Sequence, residues 1–264
     1  MRPRAFVRVA GPQAGEYLQR MVSNDVLALA PGDSCEALLL TPKARVIATL
    51  RVLRRSDDDF LLVTEPELGA VIQGHLARMR FAARCEIEVE EHVSYHLLGE
   101  GVTAPPNVVA IPCDDFGVPA FEVLDAPLPD VPQLEAEELE RLRIEAGTPR
   151  FGREIDDRVL PAEAGLDERA VSFSKGCYPG QEPVARLRYR GHVNRSLRVL
   201  RIDAPEPPPF ETPVEHEGKQ VGRITSAVRR DGAVVALGYV RNEVPLEAAV
   251  TVAGAVATMS RPRP

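Results

Sequence analysis

The sequence predicts an α+β protein that ends in a small all-β module. Before residue 190, helical and strand-like patterns mix without the regular strand–helix–strand order of a doubly wound sheet. After Gly191, short strand-like runs are separated by turn residues, as in RSLRVLRIDA, QVGRITSAVRRDG and AVVALGYVRN. These two observations divide the chain into residues 1–190, an α+β region, and residues 191–264, a predicted β-barrel module.

The first elements follow from apolar periodicity. AFVRVA predicts a strand, and a helix follows in which Ala14, Tyr17, Leu18, Met21 and Val22 share one face. The apolar runs CEALLL and VIATLRVL surround the polar turn TPKAR and predict a hairpin. Further strands are predicted at FLLVT, CEIEVEEHVSYHLLGEG and AFEVLD.

Two more helices are predicted, followed by a long loop. TEPELGAVIQGHLARMRF begins with Thr64 and Glu67 in a capping-box pattern. LEAEELERLRIEAGTP has glutamates in its first turns and arginines in its last, and Gly147 and Pro149 end it. Residues 150–190 lack clear periodicity, and a loop of this length is typically functional. The predicted apolar stripe of the first of these helices consists of Leu68, Val71, Ile72, His75, Leu76 and Met79.

Composition and charge restrict the class of protein. The chain has 264 residues, of which 44% are hydrophobic and 27% charged, as in a soluble globular protein. Its net charge of −7 does not suggest a general nucleic-acid binder. No apolar run approaches the roughly 18 residues that span a bilayer, and no secretory signal is visible. We therefore expect a cytoplasmic protein with no membrane partner.

The stretch FSKGCYPGQE contains the most unusual cysteine. Cys177 lies between glycines in a segment that turns sharply, and Lys175 precedes it by two residues. A nearby cation lowers the pKa of a thiol, and the thiolate is the reactive form. The functional interpretation is a reactive or ligand-contacting thiol, with Gln181 and Glu182 as additional polar groups. The alternative is a tight turn in which the cysteine is merely small.

Other polar clusters give weaker signals. His192 is a candidate base for Cys177, but a lone histidine at the start of a strand is more often structural. The remaining histidines form no metal set, so we predict no metal site. RLRYRGHVNR carries several arginines and indicates either a local anion site or a solvated strand face. Cys35 and Cys85 open strand-like runs, where packing is the better interpretation.

KGCYPGQE, continuing as PVARLRYRGHVNRSL, resembles the signature of the YgfZ family. These are folate-binding proteins linked to iron–sulfur cluster maintenance and to tRNA modification, and they are similar in fold to the glycine-cleavage T-protein, an aminomethyltransferase. YLQRMVSNDV, LLLTPKARVIATLRV, LRIEAGTPRFGREIDDRVL and VGRITSAVRRDGAVVALGYVRNE resemble the family in the same order. The resemblance implies a T-protein-like three-lobed ring, with two α+β lobes in residues 1–190 and the barrel after them.

The resemblance also implies a tetrahydrofolate pocket. Asn24 and Asp25 would lie near it, and Arg143 and Glu145 lie on the helix whose T-protein counterpart contributes an acidic pterin contact. A carboxylate suits this contact because it accepts two hydrogen bonds from the amino-pyrimidine edge. In the motif segment, we assign Cys177 and Lys175 to the reaction. We assign three further residues to cofactor contacts: Tyr178, Gln181 and Glu182.

One departure from the T-protein bears on the reaction class. The aspartate that the T-protein needs for aminomethyl transfer falls at Ala48 or Thr49, and neither side chain is a carboxylate. The T-protein in turn lacks the cysteine motif. We therefore expect a folate-dependent accessory protein whose partners are iron–sulfur proteins or cluster-assembly factors. The alternatives are a one-carbon transferase in which Cys177 or Glu182 replaces the aspartate, and a docking module without chemistry.

Overall fold

The computed structural model describes residues 3–263, and the chain divides into two compact units. The first unit contains the chain up to Cys113, Pro119–Pro129 and Leu166–Tyr189. The second contains Asp114–Val118, Asp130–Gly165 and the chain from Arg190 onwards. The segment Asp130–Gly165, which the sequence analysis placed with residues 1–190, therefore groups with the C-terminal barrel.

The first unit contains a five-stranded antiparallel sheet with the order β2-β3-β4-β1-β5. The predicted hairpin is present as β2 and β3, with the turn of TPKAR between them. Successive side chains of a strand point to opposite faces, and the last four residues of β2 are all buried, so both faces of the strand are covered at this end. The strands are β1 (Ala5–Ala10), β2 (Ser34–Leu40), β3 (Val46–Ser56), β4 (Asp59–Thr64) and β5 (Glu86–Glu90).

A second, three-stranded sheet completes the strands of the first unit. Its order is β6-β8-β7, with antiparallel neighbours throughout. Ile111 and Leu124 from this sheet pack with Phe6, Leu61 and Val63 of the larger sheet in one buried cluster. The strands are β6 (Ser94–Leu98), β7 (Val109–Cys113) and β8 (Ala120–Leu124).

The first two helices differ in how well the sequence predicted them. Helix α1 (Ala14–Met21) buries Tyr17, Leu18 and Met21 on one face, as predicted. Helix α2 (Gly69–Met79) follows a single 3-10 turn at Pro66–Leu68. The helix buries Ile72 and Leu76, and Leu68 of the preceding turn is also buried. Val71 and Met79 of the predicted stripe are exposed, and His75 is half-buried.

The predicted capping box at Thr64 and Glu67 is wrong. Thr64 is the last residue of β4, and its hydroxyl donates a hydrogen bond of 2.8 Å to the carbonyl of Thr49. No side chain caps the 3-10 turn or α2. Pairing with the neighbouring strand has taken the hydroxyl that the sequence pattern assigned to the helix.

The second unit contains a closed six-stranded barrel with the order β10-β11-β12-β9-β14-β13. Its interior consists of aliphatic residues such as Leu200, Ile224 and Val240, all of them buried. The mixed helix and strand fold with a C-terminal barrel is therefore confirmed. The strands are β9 (Arg195–Ile202), β10 (Pro213–His216), β11 (Lys219–Arg230), β12 (Ala233–Arg241), β13 (Val250–Val252) and β14 (Ala255–Ser260).

Helix α3 (Ala136–Ala146) packs against β11 and β12 of the barrel. Its first turn contains Glu137 and Glu138, and Gly147 ends it in the left-handed conformation at φ 81°. Both features were expected, because acidic residues stabilise the positive end of the helix dipole and glycine accepts a positive φ.

Residues 150–190 are not a loop throughout, because helix α4 spans Gln181–Arg190. The arginine-rich stretch that was interpreted as a strand face therefore lies largely on a helix. Pro183 is tolerated because it sits in the first turn, where its missing N–H has no intrahelical acceptor. Within residues 3–263, no helix combines the length and apolar character needed to cross a membrane.

Candidate functional site

Cys177 is the exposed cysteine of the chain. Cys85 and Cys113 are buried and Cys35 is partly buried. Burial raises the pKa of the Cys35 thiol to about 12 and also raises the pKa of Cys85, so these two groups stay protonated near neutral pH. Cys177 is therefore the thiol that a reagent or a partner can reach.

The segment that carries Cys177 is fixed by Gly180. This residue has a φ of 84°, a conformation that favours glycine. A Cβ at this position would lie 2.6 Å from the carbonyl oxygen of Thr41 and 3.1 Å from the Cβ of Leu40. The turn after Cys177 thus approaches the β2–β3 hairpin too closely for any side chain, and α4 begins directly after it.

Lys175 connects the same segment to the end of α1. Its side chain is buried, and Nζ donates hydrogen bonds to the carbonyls of Gln19 at 2.6 Å, Val22 at 2.7 Å and Asn24 at 2.9 Å. An ammonium group has three donors, and a cation is favoured at a helix C-terminus. Lys175 thereby holds the segment before Cys177 against the loop that follows α1.

Burial disfavours the charged form of Lys175. Burial lowers the pKa of Lys175 to about 8, and the nearby negative charge of Asp25 opposes this shift. The ring of Tyr178 lies 5.4 Å from Nζ and adds a cation–π contact. Because all three donors of Nζ point to backbone carbonyls, none remains for a hydrogen bond to Cys177. The idea that Lys175 favours the Cys177 thiolate stays a prediction.

The loop after α1 is held by two side chains. Ser23 donates a hydrogen bond of 2.5 Å to the carbonyl of Ala170. Asn24 uses Nδ2 to reach the carbonyls of Glu36 at 2.7 Å and Arg169 at 3.3 Å. Both residues therefore tie this loop to the chain that leads into the cysteine segment, and the Asn24 amide is occupied by protein contacts.

Asp25 keeps one carboxylate oxygen available. Its Oδ1 accepts hydrogen bonds from Gln19 Nε2 at 3.0 Å and from the Ala28 amide at 3.2 Å, while its backbone N–H donates to Asn24 Oδ1. Oδ2 has no hydrogen bond to any residue of the described chain. Asp25 is half-buried and lies near the Lys175 ammonium. It is thus a fixed carboxylate with an acceptor to offer.

The remaining predicted contacts of the motif differ in exposure. Tyr178 is buried, and burial raises the pKa of its phenol to about 12, so it stays neutral and can donate a hydrogen bond. Gln181, in the first turn of α4, is half-buried, and its side-chain amide makes no hydrogen bond to residues 3–263. Glu182 is exposed and pairs with Arg186 at 3.4 Å.

Arg143 lies on α3 in the second unit and is buried. Its Nε and Nη2 bind Glu140 at 2.9 and 2.7 Å, and Nη1 binds Glu154 at 3.0 Å and the Thr148 carbonyl at 2.5 Å. Nη2 also donates to Ser226 Oγ at 3.0 Å. All five guanidinium N–H groups are used. Burial alone would lower the pKa of Arg143, but Glu154 and Glu140 raise it.

Glu145, also on α3, is held by two arginines. Its Oε2 accepts a hydrogen bond of 2.7 Å from Arg141, and its Oε1 pairs with Arg230 of β11. A pterin would have to compete with these guanidinium groups for the carboxylate. The acidic pterin contact at Glu145 therefore stays a prediction. In the structure, Arg143 binds Ser226 and Glu145 binds Arg230, and both contacts attach α3 to β11 of the barrel.

The positions expected to replace the T-protein aspartate lie in β3. Ala48 is fully buried and pairs with Leu39, and Thr49 pairs with Leu38. The Thr49 carbonyl accepts the Thr64 hydrogen bond. No carboxylate is present at either position.

Sequence reasoning missed two features of the site. The carbonyl acceptors of Lys175 belong to the backbone of Gln19, Val22 and Asn24, and backbone groups leave no signature in residue types. The buried position of Glu154 beneath Arg143 has a weak signal, because RLRIEAGTPRFGREI places several opposite charges close together in the chain. That signal alone does not identify the pair.

Comparison with known proteins shows which sequences this chain is similar to. The sequence matches no family model. It is 27% identical over 289 residues to the tRNA-modifying protein YgfZ of Edwardsiella ictaluri, covering 93% of this chain and 85% of that protein. It is 26% identical over 227 residues to the mitochondrial iron–sulfur cluster assembly factor IBA57 homolog of Neurospora crassa, covering 74% of this chain. The alignment spans only about half, 51%, of that longer relative.

A solved structure supports the fold. The glycine cleavage system aminomethyltransferase T of Bartonella henselae matches with a TM-score of 0.84, over 98% of this chain and 83% of that one. The two sequences are 21% identical, so this match shows the fold alone. Together, these matches confirm the resemblance predicted from the KGCYPGQE motif and the T-protein-like fold.

Proposed function

We propose, from the confirmed resemblance to the YgfZ family, that this chain is a cytoplasmic folate-binding accessory protein. Its task would be iron–sulfur cluster assembly or repair and the tRNA modification that depends on such clusters. Relatives named a tRNA-modifying protein and a cluster assembly factor support this assignment. The observation that carries it is the exposed Cys177, which Gly180 and Lys175 hold in a fixed segment.

Cys177 acts together with a partner. An iron–sulfur cluster is typically held by four thiolates, and one exposed cysteine supplies a single ligand. The other cysteines of this chain are buried or partly buried. The client or assembly protein would therefore provide the remaining thiolates, and Cys177 would contact or transiently bind the cluster that the two proteins handle.

The residues of the first unit fit tetrahydrofolate in part. Three polar groups have no hydrogen-bond partner in the described chain, so a ligand can use them. They are Asp25 Oδ2, the Tyr178 hydroxyl and the side-chain amide of Gln181. Asn24 is occupied and serves to position Asp25. When bound, tetrahydrofolate supplies a pterin ring that carries one-carbon units.

Asp25 is the acceptor that we expect to contact the pterin. A carboxylate oxygen accepts hydrogen bonds from the amino-pyrimidine edge, and such charge-assisted bonds are stronger than neutral ones. Lys175 fixes the backbone on which Asp25 sits, through the carbonyl of Asn24. The carboxylate thus needs little reorganisation when the ligand binds. Arg143, Glu145 and Glu182 remain predicted contacts, each of them with a protein partner already.

Aminomethyl transfer is not part of this proposal. A positioned acid or base contributes roughly 10²–10⁴-fold to a rate, and the aspartate of the T-protein has no counterpart at Ala48 or Thr49. Glu182, the candidate replacement, is exposed and paired with Arg186.

The proposal is tested in cells that lack the gene for this chain. We expect the wild type to restore both the activity of an iron–sulfur enzyme and the modified nucleosides of tRNA. Cys177→Ser should restore neither, because it removes the exposed thiol without changing the shape of the segment. Cys85→Ala, which removes a buried thiol, is the matched control and should restore both. Full rescue by Cys177→Ser would leave the docking-module alternative.

A further inference from the structure

The first unit has a surface groove whose lining residues are distant in sequence from the cysteine segment. It has a volume of about 360 Å³ and lies between α1 and the chain that follows α2. We name it the Phe81 groove. Its lining is mostly apolar: Tyr17, Met21, Met79, Phe81, Ala82 and Ala83. Methionines are common in surfaces that adapt to a partner, because their side chains are flexible and polarizable.

Phe81, which lines this groove, has an unusually exposed side chain and an unusual backbone conformation. Its side chain is 83% exposed, and its φ is 49°, in the left-handed region that a bulky residue rarely adopts. Met79 beside it is 39% exposed. A phenylalanine this exposed buries little of its surface against the chain itself. Such features concentrate where a surface meets another molecule.

The groove and the chain beside it carry arginines that are not in ion pairs. Arg20 and Arg80 line it, and Arg78 and Arg84 lie within four residues of Phe81 in the chain. None of these four arginines forms an ion pair within residues 3–263. In the same unit, Arg4, Arg8, Arg51, Arg54 and Arg55 each pair with a carboxylate. Positive charge without a partner is notable in a chain whose net charge is −7.

We infer that the Phe81 groove binds an acidic segment of a partner protein that inserts an apolar side chain. The methionines and alanines form an apolar floor, which suits an aliphatic or aromatic anchor. The arginines complement carboxylates on either side of that anchor. Aromatic and arginine residues also carry much of the energy of protein interfaces. A nucleic acid would satisfy the arginines, but its backbone brings no apolar anchor for the floor.

The photo-crosslinking amino acid p-benzoylphenylalanine tests this inference when it replaces Phe81 in the full-length chain. The variant is expressed in the cells from which the chain comes, irradiated, and its adducts are digested and identified by mass spectrometry. The same replacement at Phe210, an exposed phenylalanine of the second unit, is the matched control. We expect position 81, and not position 210, to give an adduct with an acidic protein segment that contains an apolar residue.

Charge reversal sharpens the test. Arg78→Glu combined with Arg84→Glu should reduce the adduct at position 81 by about tenfold or more, as one lost charge-assisted contact predicts. Arg201→Glu, which changes an exposed arginine of β9, should leave the adduct unchanged.

The inference is overturned by absence of a protein adduct or by an adduct that ribonuclease removes. An adduct with a second copy of this chain, a crosslinked segment that is not acidic, or insensitivity to the charge reversal also overturns it. None of these outcomes depends on folate or on Cys177, so the inference and the proposed function fail separately.

Discussion

Arg143 in the second unit and Lys175 in the first are both buried cations, and their surroundings satisfy them in opposite ways. Arg143 in the second unit is surrounded by the carboxylates of Glu140 and Glu154. Lys175 in the first unit is surrounded by neutral backbone carbonyls. As a result, the pKa of Arg143 is raised and that of Lys175 is lowered to about 8.

The difference separates a structural brace from a site that positions a loop. Arg143 binds the carboxylates of Glu140 and Glu154 and the hydroxyl of Ser226. These contacts connect α3, the segment around Glu154 and β11 in one fixed network. The Lys175 ammonium binds carbonyls at the end of α1 and in the loop that follows it. Oδ2 of the neighbouring Asp25 makes no hydrogen bond within residues 3–263. We therefore expect the Arg143 cluster to contribute mainly to stability, and we propose that the Lys175 cluster positions a ligand contact.

The largest effect on stability is expected at Glu154. Glu154→Ala leaves Arg143 buried without one of its carboxylates, and breaking a buried ion pair costs about 3–5 kcal/mol. The free energy of unfolding, measured by denaturant titration, should fall by this amount. Asp57→Ala, at the mostly exposed partner of Arg54, is the control and should change it little. A small change in the free energy of unfolding for Glu154→Ala would contradict the structural role that we assign to the Arg143 cluster.

A smaller loss of stability is expected at Lys175, together with a loss of binding. Lys175→Met leaves three carbonyls without their donor, and an unsatisfied buried group costs about 1–3 kcal/mol. Because the Asn24–Asp25 loop loses its support, the affinity for tetrahydrofolate should also fall, as measured by calorimetry. Lys43→Met, which changes an exposed lysine, should affect neither quantity. Unchanged affinity would show that Lys175 does not position the folate contact.

The pH dependence of stability distinguishes the two cations further. The pKa of Lys175 is about 8 in the folded chain, against 10.5 when unperturbed. Between these values the unfolded chain keeps a proton that the folded chain has lost, so this group makes the free energy of unfolding rise with pH. The difference between wild type and Lys175→Met should therefore grow in favour of the wild type from pH 8 to 10.5. A difference that stays flat or falls would contradict the lowered pKa.

The smallest effect on stability is expected at Cys177. Cys177→Ser changes an exposed side chain, and such substitutions usually alter the free energy of unfolding by less than about 0.5 kcal/mol. Cys85→Ser, at a buried thiol, should destabilise the chain more, because the hydroxyl loses its hydrogen bonds to water. Denaturant titration of both variants checks this order. A large loss for Cys177→Ser would mean that the thiol has a packing role.

The sequence was sufficient for the elements that local patterns determine. The β2–β3 hairpin has two apolar runs around a polar turn, α3 has its charges and Gly147 in the expected places, and the barrel strands are separated by turn residues. Each of these signals lies within the element itself, which is why residue types alone predicted them.

The errors arose where tertiary contacts override a local pattern. Thr64 matches a helix cap, but its hydroxyl bonds across to β3, and Pro66 begins a separate 3-10 turn. Helix α4 was not predicted because Pro183 lies within it and its buried face is small, with Val184 as its buried residue. The partners of Lys175 are backbone carbonyls about 150 residues away in the chain, which no pattern of residue types reveals.

We propose that Cys177 and a tetrahydrofolate contact at Asp25 belong to one site, because Lys175 joins the segment before Cys177 to the loop that carries Asp25. The most direct test is calorimetric titration of tetrahydrofolate into wild type and Asp25→Asn, with the rate of Cys177 alkylation followed in the same samples. We predict that folate binds the wild type, binds Asp25→Asn more weakly, and slows alkylation in proportion to its occupancy. Absence of folate binding, or alkylation that ignores bound folate, would contradict the claim.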